Sequence, residues 1–450
     1  MGADPVAVVA VDFGASSIRV CRVALGRRPP ALEVVHRYHH QPVADAAGHL
    51  RWDWARLVAE MDEGLARARE PGPVASIGVD TWGVDYGLLD TRGDLVAPPF
   101  SYRDTRTHGW SAVVERLGAD ALYATTGLQL QPFNTIFQVA AHDSDELARA
   151  RHLLLLPELV VHHLTGELVA EPTSAGTTGL VDIHSGRWSA ELAEAVGLDA
   201  GLLAPIMPAG TCVGRWDGIP VHLVGGHDTA SAVLAMGAAP GRASAFVSSG
   251  TWLLVGRERP RPDLSHAARQ ANFTNERGVQ GNVRFLENLA GWWLLDRCRA
   301  AWGPEGSMDG LLDAAAQLPA GPVVDVADPR FLHPDDMLTE VTAAASLPRD
   351  CPPAVVARVI IDSMAEGTAR VIGQLAAVTG EAVSDVYVFG GGSRSALHRR
   401  TLAERTGLVV RPGPVEATAL GNALVQGIAL GVYADLDAAR ASLDAEEDSA

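Results

Sequence analysis

The 450-residue chain contains no lysine, so all 36 of its basic side chains are arginines. A Walker-type phosphate loop, a protein-kinase ATP site and a Schiff-base enzyme each need a lysine amine, as a positive charge or as a nucleophile. The sequence therefore excludes these three classes. It has 46 glycines, several of them clustered after apolar runs. Such clusters let backbone N–H groups approach a phosphate without a lysine, so phosphate chemistry stays open.

Cysteine is also scarce, with four residues that form no CxxC pair. This usage suits a reducing cytosol better than a disulfide scaffold, so we expect free thiols. The most apolar stretch, LLLLPELVV (153–161), is interrupted by Pro157 and Glu158. No basic segment followed by an apolar run opens the chain. We expect a cytoplasmic protein without a signal peptide or a membrane span.

The formal net charge is −18, from 54 acidic and 36 basic side chains. Such a surface opposes a polyanionic partner, so we expect no binding to nucleic acid. A small anion would need local help from Mg²⁺, arginine or helix N-termini.

The length predicts about two or three domains. Apolar runs at 6–12 and 74–80 read as strands that end in aspartate, whereas 53–70 and 111–122 show helical spacing. Strand and turn patterns recur in the second half, at 244–256 and 383–395. We place the boundary near AAPGRA (238–243), which gives domains at 1–240 and 241–435. The acidic segment 436–450 is predicted to be a surface helix that frays into a tail.

The first motif is VDFGASSIRV (11–20). Asp12 at the end of a buried strand could meet a hydrated metal ion, Gly14 allows close backbone approach, and Ser16, Ser17 and Arg19 offer donors to phosphate oxygens. The alternative is an ordinary hairpin turn.

A second strand ends in GVDTWGVDYGLLD (78–90). Asp80, Trp82, Gly83 and Asp85 suit a sugar, whose hydroxyls need acceptors while its C–H face needs an aromatic ring. The alternative is a hairpin with a core tryptophan. The charged stretch SYRDTRT (101–107) is more typical of a solvated loop.

The segment VGGHDTASAVLAMG (224–237) is the most informative single motif. A strand closes at its two glycines and a helix is predicted over 230–236, which leaves His227, Asp228 and Thr229 at the junction. Asp228 could be a helix N-cap, or a base facing a cleft. The adjacent histidine pairs 39–40 and 162–163 do not share a face, so we interpret them as surface residues rather than metal ligands.

Three glycines at 390–392 follow a strand in VFGGGSRS and fit an adenosine or phosphate site better than a dinucleotide fingerprint. Downstream, GPVEATALGNALVQG (413–427) predicts a helix of small residues, which is typical of close helix packing.

Taken in order, these motifs resemble the FGGY carbohydrate kinases of the actin-like ATPase superfamily. The resemblance spans roughly 6–435, and its most specific strings include VDFGASSIR, IGVDTWGVDYGLLD, YRDTRT, QPFNTIFQ, GHDTASAV, SSGTW, NFTNERG and GPVEATALGN. Several are more similar to the L-rhamnulose kinases of that family than to its xylulose, glycerol or gluconate kinases. The resemblance implies an α/β fold of two RNase H-like domains that flank a catalytic cleft.

The resemblance also implies site residues. A first turn would bind the ATP phosphates, a second group would line the sugar with Asp228 as proton acceptor, and a third would meet the nucleotide. These groups are, in that order, Ala15, Ser16, Ser17, Ile18 and Arg19; Gly83, His227, Asp228, Thr229 and Asn288; Thr251, Gly391 and Asp296. Two of them depart from the family pattern, Ile18 where glycine is usual and Asp296 where a glutamine commonly meets ATP.

The expected reaction is transfer of the γ-phosphoryl group of ATP, with Mg²⁺, to the 1-hydroxyl of L-rhamnulose. Two alternatives remain. One is a kinase for another ketose, such as L-fuculose or a pentulose, and the other is a non-catalytic actin-like ATPase that acts as a filament or sensor. The sequence leaves the oligomeric state open.

Overall fold

A computed structural model of the chain describes residues 5–236, 243–303, 306–332 and 334–444. The expected boundary at 238–243 lies almost entirely outside the described residues, as does the end of the acidic tail from residue 445.

Most strands belong to two six-stranded sheets. The strands are β1 (Val6–Gly14), β2 (Ser17–Leu25), β3 (Ala31–His39), β4 (Val43–Ala44), β5 (Leu50–Arg51), β6 (Ile77–Thr81), β7 (Tyr86–Leu89), β8 (His152–Leu155), β9 (Cys212–Trp216), β10 (Ile219–His227), β11 (Ala245–Ser249), β12 (Trp252–Arg259), β13 (Thr274–Arg277), β14 (Val283–Ala290), β15 (Asp385–Phe389) and β16 (Val409–Pro412).

Helices flank both sheets and fill the connections. They are α1 (Trp54–Arg69), α2 (Trp110–Leu117), α3 (Ala119–Thr126), α4 (Thr135–Ala140), α5 (Ser144–Arg149), α6 (Leu156–Thr165), α7 (Pro172–Ala175), α8 (Ala190–Ala195), α9 (Asp228–Leu234), α10 (His266–Gln270), α11 (Trp293–Trp302), α12 (Met308–Ala316), α13 (Met337–Ala344), α14 (Pro353–Thr379), α15 (Ala396–Thr406), α16 (Ala417–Ala429) and α17 (Leu436–Ala441). Within the described residues, no helix has both the length and the apolar character that crossing a bilayer would require.

The two sheets share one plan. The first has the order β3-β2-β1-β6-β10-β9, and the second β13-β14-β12-β11-β15-β16. In each sheet three antiparallel strands lie together, and two parallel strands add beside the first of them. The sixth strand is antiparallel in both sheets, β9 beside β10 in the first and β13 beside β14 in the second. This repeat confirms the expected α/β fold of two RNase H-like units. The second sheet repeats the β1–β2 hairpin as β11–β12, so each half places a strand-turn-strand at the same point.

Several local predictions hold. The helix expected over 53–70 is α1, and the strands expected at 6–12 and 74–80 are β1 and β6. The helical pattern at 111–122 is divided between α2 and α3, because Gly118 lies between them with φ of +81°. All four cysteines are free thiols, as expected.

The helix of small residues predicted from GPVEATALGNALVQG is α16, and it packs against the first sheet. Apolar residues of α16 pack on Val8, Ala10 and Val23 of that sheet, and α17 buries Ala439 completely in the same cluster. The segment after 436 therefore begins as a packed helix rather than a free surface helix. Since α16 follows β16 of the second sheet in the chain, the two halves are interleaved.

Candidate active site

A cleft of about 380 Å³ lies between the two sheets. Both halves of the chain line it, and the strand-turn motifs supply a large part of its walls. The sequence-predicted residues in its lining are Ala15, Ser16, Ser17, Arg19, Trp82, Gly83, His227, Asp228, Thr229, Thr251, Asn288 and Gly391. Four predicted residues lie outside this lining: Asp12, Ile18, Asp80 and Asp296.

The first wall is the tight turn between β1 and β2. Gly14 pairs with Ser17 across the hairpin, so Ala15 and Ser16 form a two-residue turn that projects into the cleft. The side chain of Ile18 points to the opposite face of β2 from that of Ser17, because alternate residues of a strand face opposite sides. Ile18 is accordingly fully buried in the core of the first sheet. Only its backbone remains available to a ligand, so any part of Ile18 in the phosphate turn is through its main chain.

Arg19 also differs from the expected free donor. Its Nη2 lies 2.8 Å from Asp12 Oδ2, and its Nη1 donates to Glu416 Oε2 at 3.0 Å. Glu416 accepts a second arginine, Arg37, at 2.6 Å. The guanidinium therefore holds the turn to the start of α16, and in this geometry a bound anion would compete with two carboxylates for it.

The second half supplies the matching wall. Gly250 and Thr251 form the turn between β11 and β12, and Gly390 and Gly391 lie beside it. Gly390 adopts φ of +81°, and a Cβ there would lie 3.1 Å from the Ser249 carbonyl oxygen, so only glycine fits without strain. Asp296 is exposed on α11 outside the lining, which separates it from the expected nucleotide contact.

Asp12 and Asp80 lie side by side behind the first turn. They are paired in register on the parallel strands β1 and β6, and both side chains are fully buried. Burial raises the pKa of Asp12 to about 6, opposed by the charge of Arg19. Burial and the neighbouring Asp12 raise the pKa of Asp80 well above its usual range. Burial and mutual repulsion favour the protonated forms of both carboxyl groups unless more positive charge lies nearby.

This carboxylate pair fits a hydrated divalent cation. Asp80 Oδ2 accepts from Asn422 at 2.6 Å, whereas its Oδ1 is buried without a hydrogen-bond partner. Cation charge nearby would favour both ionised forms. Within the part of the chain that the structure describes, Asp12 and Asp80 have no third potential metal ligand close enough to form a direct three-ligand site. Among the described residues, only His36, Glu60 and Glu63 bring three potential ligand atoms within 4.8 Å of one another. Mg²⁺, which keeps several of its waters, suits such indirect contact.

The wall formed by Trp82 and Gly83 is only partly as predicted. Trp82 lines the cleft, but its indole N–H donates to Asp85 Oδ2 at 2.9 Å, and Trp52 donates to the same oxygen at 2.7 Å. Asp85 is 1% exposed, so it anchors the two rings from behind instead of facing a ligand. Neither of the carboxylates that suggested a sugar site is in the cleft lining: Asp85 anchors the two rings, and Asp80 is fully buried beside Asp12.

His40 is part of this wall, which corrects its interpretation as a surface residue. Its ring lies 5.4 Å from that of Trp52 and 5.6 Å from that of Trp82, and its Nε2–H donates to the Gly14 carbonyl at 3.0 Å. Burial lowers the pKa of His40 to about 4. The neutral ring thus connects the tryptophan wall to the first turn.

The loop 101–107 is likewise less solvated than expected. Asp104 is 2% exposed and accepts from the Leu50 backbone N–H at 2.7 Å, and Arg106 donates to Gln138 at 2.7 Å. The loop supports the wall beneath Trp82.

A buried glutamate and a threonine hydroxyl hold the backbone at the end of β10. The register between β10 and β6 shifts between Leu223 and His227, which removes regular sheet partners there. Glu171 Oε2 accepts from the Gly226 N–H at 3.1 Å, and the Thr173 hydroxyl accepts from the His227 N–H at 3.1 Å. Thr173 of α7 and Glu171, the residue before α7, therefore replace the missing sheet partners and fix the backbone immediately before Asp228.

Asp228 is the first residue of α9, and His227 occupies the N-cap position. The Asp228 carboxylate accepts from the Thr229 N–H at 2.5 Å and from its hydroxyl at 3.1 Å through Oδ1, whereas the side chain of the N-cap residue His227 makes no cap hydrogen bond. Its side chain is 26% exposed and lines the cleft. The geometry thus does not support the alternative of a helix N-cap.

The opposite wall contains polar residues that the sequence analysis missed. Gln129 Oε1 accepts from both the backbone N–H and the side-chain amide of Asn288, at 3.1 and 3.2 Å. Glu276 also lines the cleft and is held by Arg284, whose charge lowers the pKa of Glu276 against the effect of burial. Glu276 stands in the NFTNERG string, which was recognised as a motif without a role for its acid.

Comparison with known proteins decides the family. The model of the N-terminal domain of the FGGY family of carbohydrate kinases matches residues 7–235, and the model of its C-terminal domain matches 245–430. The chain belongs to the FGGY family of carbohydrate kinases. As a member it is a sugar kinase that uses ATP.

Curated relatives of this kinase match along nearly its whole length. It is 40% identical over 445 residues to a rhamnulokinase of Klebsiella pneumoniae, which covers 95% of this chain and 91% of the relative. A rhamnulokinase of Enterococcus faecalis is 37% identical over 458 residues, with coverage of 96% and 91%.

Solved structures of other members share the fold of this kinase. Gluconate kinase from Lactobacillus acidophilus superposes with a TM-score of 0.79 at 15% identity, over 98% of this chain and 93% of the other. Ligand-bound xylulose kinase from the same organism gives a TM-score of 0.77 at 15% identity, with the same coverage. At this identity the match establishes the two-domain architecture alone.

Proposed function

We propose that this kinase transfers the γ-phosphoryl group of ATP to the 1-hydroxyl of L-rhamnulose. The observation that carries the reaction is the position of Asp228, a partly exposed carboxylate that is not the N-cap of α9 and lies in the cleft that the turns of both halves line. The relatives that cover this chain almost completely are named rhamnulokinases, which supports the choice of ketose.

The sugar would occupy the end of the cleft that Asp228 faces. Trp82 and Gly83 offer it an apolar wall, while polar groups of both halves offer hydrogen bonds to its hydroxyls. These groups are His227, Thr229, Asn288, Gln129 and Glu276. As the sugar oxygen bonds to the γ-phosphorus and the bond to ADP breaks, the hydroxyl proton passes to Asp228. Because the proton leaves late in a loose transition state, an ordinary carboxylate is basic enough.

The nucleotide phosphates would lie between the two turns. Backbone N–H groups at Ala15, Ser16 and Ser17 serve one side, and Thr251 with Gly391 serves the other. A hydrated Mg²⁺ beside Asp12 and Asp80 would supply charge neutralisation of the phosphates. Arg19 binds the nucleotide when a phosphate group displaces Glu416 from its guanidinium. We assign Asp80 to the phosphate end of the cleft rather than to the sugar.

We also propose that residues 1–240 and 241–435 act as the two domains that close on the substrates, with α16 as a shared element and 436–450 as an appended segment. A reducing cytoplasm, where ATP is made, suits the four free thiols.

An ATP-consumption panel over purified ketoses tests the substrate. L-Rhamnulose is expected to exceed L-fuculose and L-xylulose in kcat/KM, by about 10- to 200-fold where the difference is one methyl group in an apolar pocket. Equal or higher efficiency with a pentulose would contradict the ketose assignment and leave the kinase in place. Nucleotide-dependent polymers without turnover of any sugar would instead favour a filament protein.

A further inference from the structure

Arg284 is a cation buried completely behind the residue that precedes Asp228. It lies on β14 of the second sheet, and its side chain has 0% exposure. Its Nη2 is 3.0 Å from Nδ1 of His227, which belongs to β10 of the first sheet. The same Nη2 lies 3.1 Å from Glu276 Oε2 and 3.2 Å from the Arg277 carbonyl oxygen.

This contact constrains the protonation of the imidazole. A guanidinium group carries donors only, so a hydrogen bond from Arg284 requires an unprotonated, accepting Nδ1. The neutral ring must then carry its proton on Nε2. That nitrogen lies 3.4 Å from Oδ1 of Asp228, too long for an ordinary hydrogen bond but close enough for the partial positive charge of an N–H group to attract the carboxylate.

Glu276 competes for the same nitrogen and favours the opposite tautomer. Its Oε2 lies 3.5 Å from His227 Nδ1 and could only accept a proton from it. That separation is beyond the usual range for an N–H···O hydrogen bond, whereas the distance to Arg284 is inside it. Glu276 is in addition already paired with Arg284. The distances therefore favour the donor.

We propose that Arg284 is a positioning residue that fixes His227 as the Nε2–H tautomer, so that the imidazole orients the carboxylate of Asp228. The proposal rests on the proposed role of Asp228 as proton acceptor. In the other tautomer the lone pair of Nε2 would face the carboxylate and repel it. Since Arg284 and His227 come from different sheets, correct packing of the two halves sets the tautomer.

Nitrogen-15 NMR of the full-length protein labelled in its histidine rings tests the tautomer directly, without substrate. The His227 signals are identified by their loss in His227→Gln. We expect the protonated nitrogen to be Nε2 and the unprotonated one to be Nδ1. A protonated Nδ1, bonded to Glu276, would overturn the proposal. This measurement does not depend on which ketose is phosphorylated, so inactivity on L-rhamnulose would count against the proposed function alone.

Two substitutions then test the consequence for catalysis. Arg284→Met removes the donors at similar length, and kcat is expected to fall about 10- to 100-fold, by analogy with residues that orient metal-bound imidazoles, with a smaller change in KM for the sugar. Arg284→Lys retains a donor and should restore the tautomer and part of kcat. Unchanged kcat and an unchanged Nε2–H tautomer in Arg284→Met would overturn the proposal.

A matched control separates positioning from the general cost of removing a buried arginine. Arg358 is also buried, and it pairs with Asp362 on α14 at 2.9 Å, outside the lining of the cleft. Arg358→Met is therefore expected to lower stability without changing the His227 signals. If Arg284→Met does not fold, Arg284→Met with Glu276→Gln removes the unpaired buried charge, and the same tautomer comparison is made there.

Discussion

The carboxylate of Asp228 gives the sharpest prediction for a single residue. Asp228→Asn should lower kcat by about 10²- to 10⁴-fold, since an amide cannot accept the hydroxyl proton. The fold should be little affected, because Asp228 accepts from the Thr229 N–H and hydroxyl through one oxygen, and an asparagine retains one such oxygen. Steady-state turnover, sugar affinity and the thermal midpoint measured together check this.

Asp53→Ala is the control for Asp228→Asn. Asp53 does cap a helix, since its side chain accepts from the Arg56 N–H at 3.2 Å at the start of α1. Its loss should cost about 1 kcal/mol of stability and leave kcat unchanged. Near-normal turnover in a folded Asp228→Asn protein would show that Asp228 is not the base.

The buried acid Glu158 gives a prediction for stability against pH. Burial raises the pKa of Glu158 to about 8 in the folded protein, while an exposed glutamate titrates near about 4.3. Between these values the folded chain holds a proton that the unfolded chain has released. The contribution of Glu158 to stability is thus fully present below the lower value and is lost as pH rises toward 8, by about 1.4 kcal/mol for each unit of pKa difference.

Glu158→Gln should remove this group's share of the decline, because a glutamine cannot ionise. Denaturant unfolding at pH 5 and pH 8.5 is the measurement, and the variant should lose less stability than wild type between the two. Glu171, with a pKa raised by burial to about 7, maintains part of the slope. Exposed Glu167→Gln is the control and should keep the wild-type slope. Equal slopes in all three proteins would contradict the raised pKa.

At the scale of elements, the contact between α16 and α9 depends on a single small residue. A Cβ at Gly421 would lie 1.7 Å from the Ser231 carbonyl oxygen, so the two helices meet backbone to backbone. Gly421→Ala should therefore destabilise the protein by about 1–3 kcal/mol or more, as overpacking forces the helices apart. Thermal and denaturant unfolding provide the test.

Gly373→Ala is the matched substitution on α14. A Cβ at Gly373 meets nothing within 4 Å, and the residue lies within the helix. There the same change should stabilise by roughly 0.5–1 kcal/mol, through lower backbone entropy of the unfolded chain. If Gly421→Ala also stabilised, the close approach of α16 to α9 would be wrong.

For the whole molecule, the division of the cleft between two halves predicts closure. Hydrogen bonds already join the halves beside the proposed sugar end, where Asn275 donates to the Gly127 carbonyl at 3.1 Å and Arg277 donates to Ile183 at 2.7 Å. The two phosphate turns line the same cleft from different halves of the chain. Sugar and nucleotide together should reduce the radius of gyration in X-ray scattering, as water is excluded from the cleft. An unchanged radius at saturating ligand would count against closure.

The sequence by itself determined several strands and helices, the family and part of the cleft lining. Strand periodicity, aspartates at strand ends and glycine-bearing turns are local features, so β1, β6 and β11–β12 could be read from short windows. The order of the motifs then identified the family, and with it Asp228 and the two turns. Local pattern sufficed wherever a residue's role follows from its own strand or turn.

Only the tertiary structure decided which side chains face the cleft and what holds them. Asp80 and Asp85 end up behind the wall, Ile18 in the core, and Arg19 between Asp12 and Glu416. Glu416 lies almost 400 positions away from Arg19, and Arg284 meets His227 from the other sheet. Such contacts depend on the packing of one sheet against another, and the period of a strand carries no information about its distant partner.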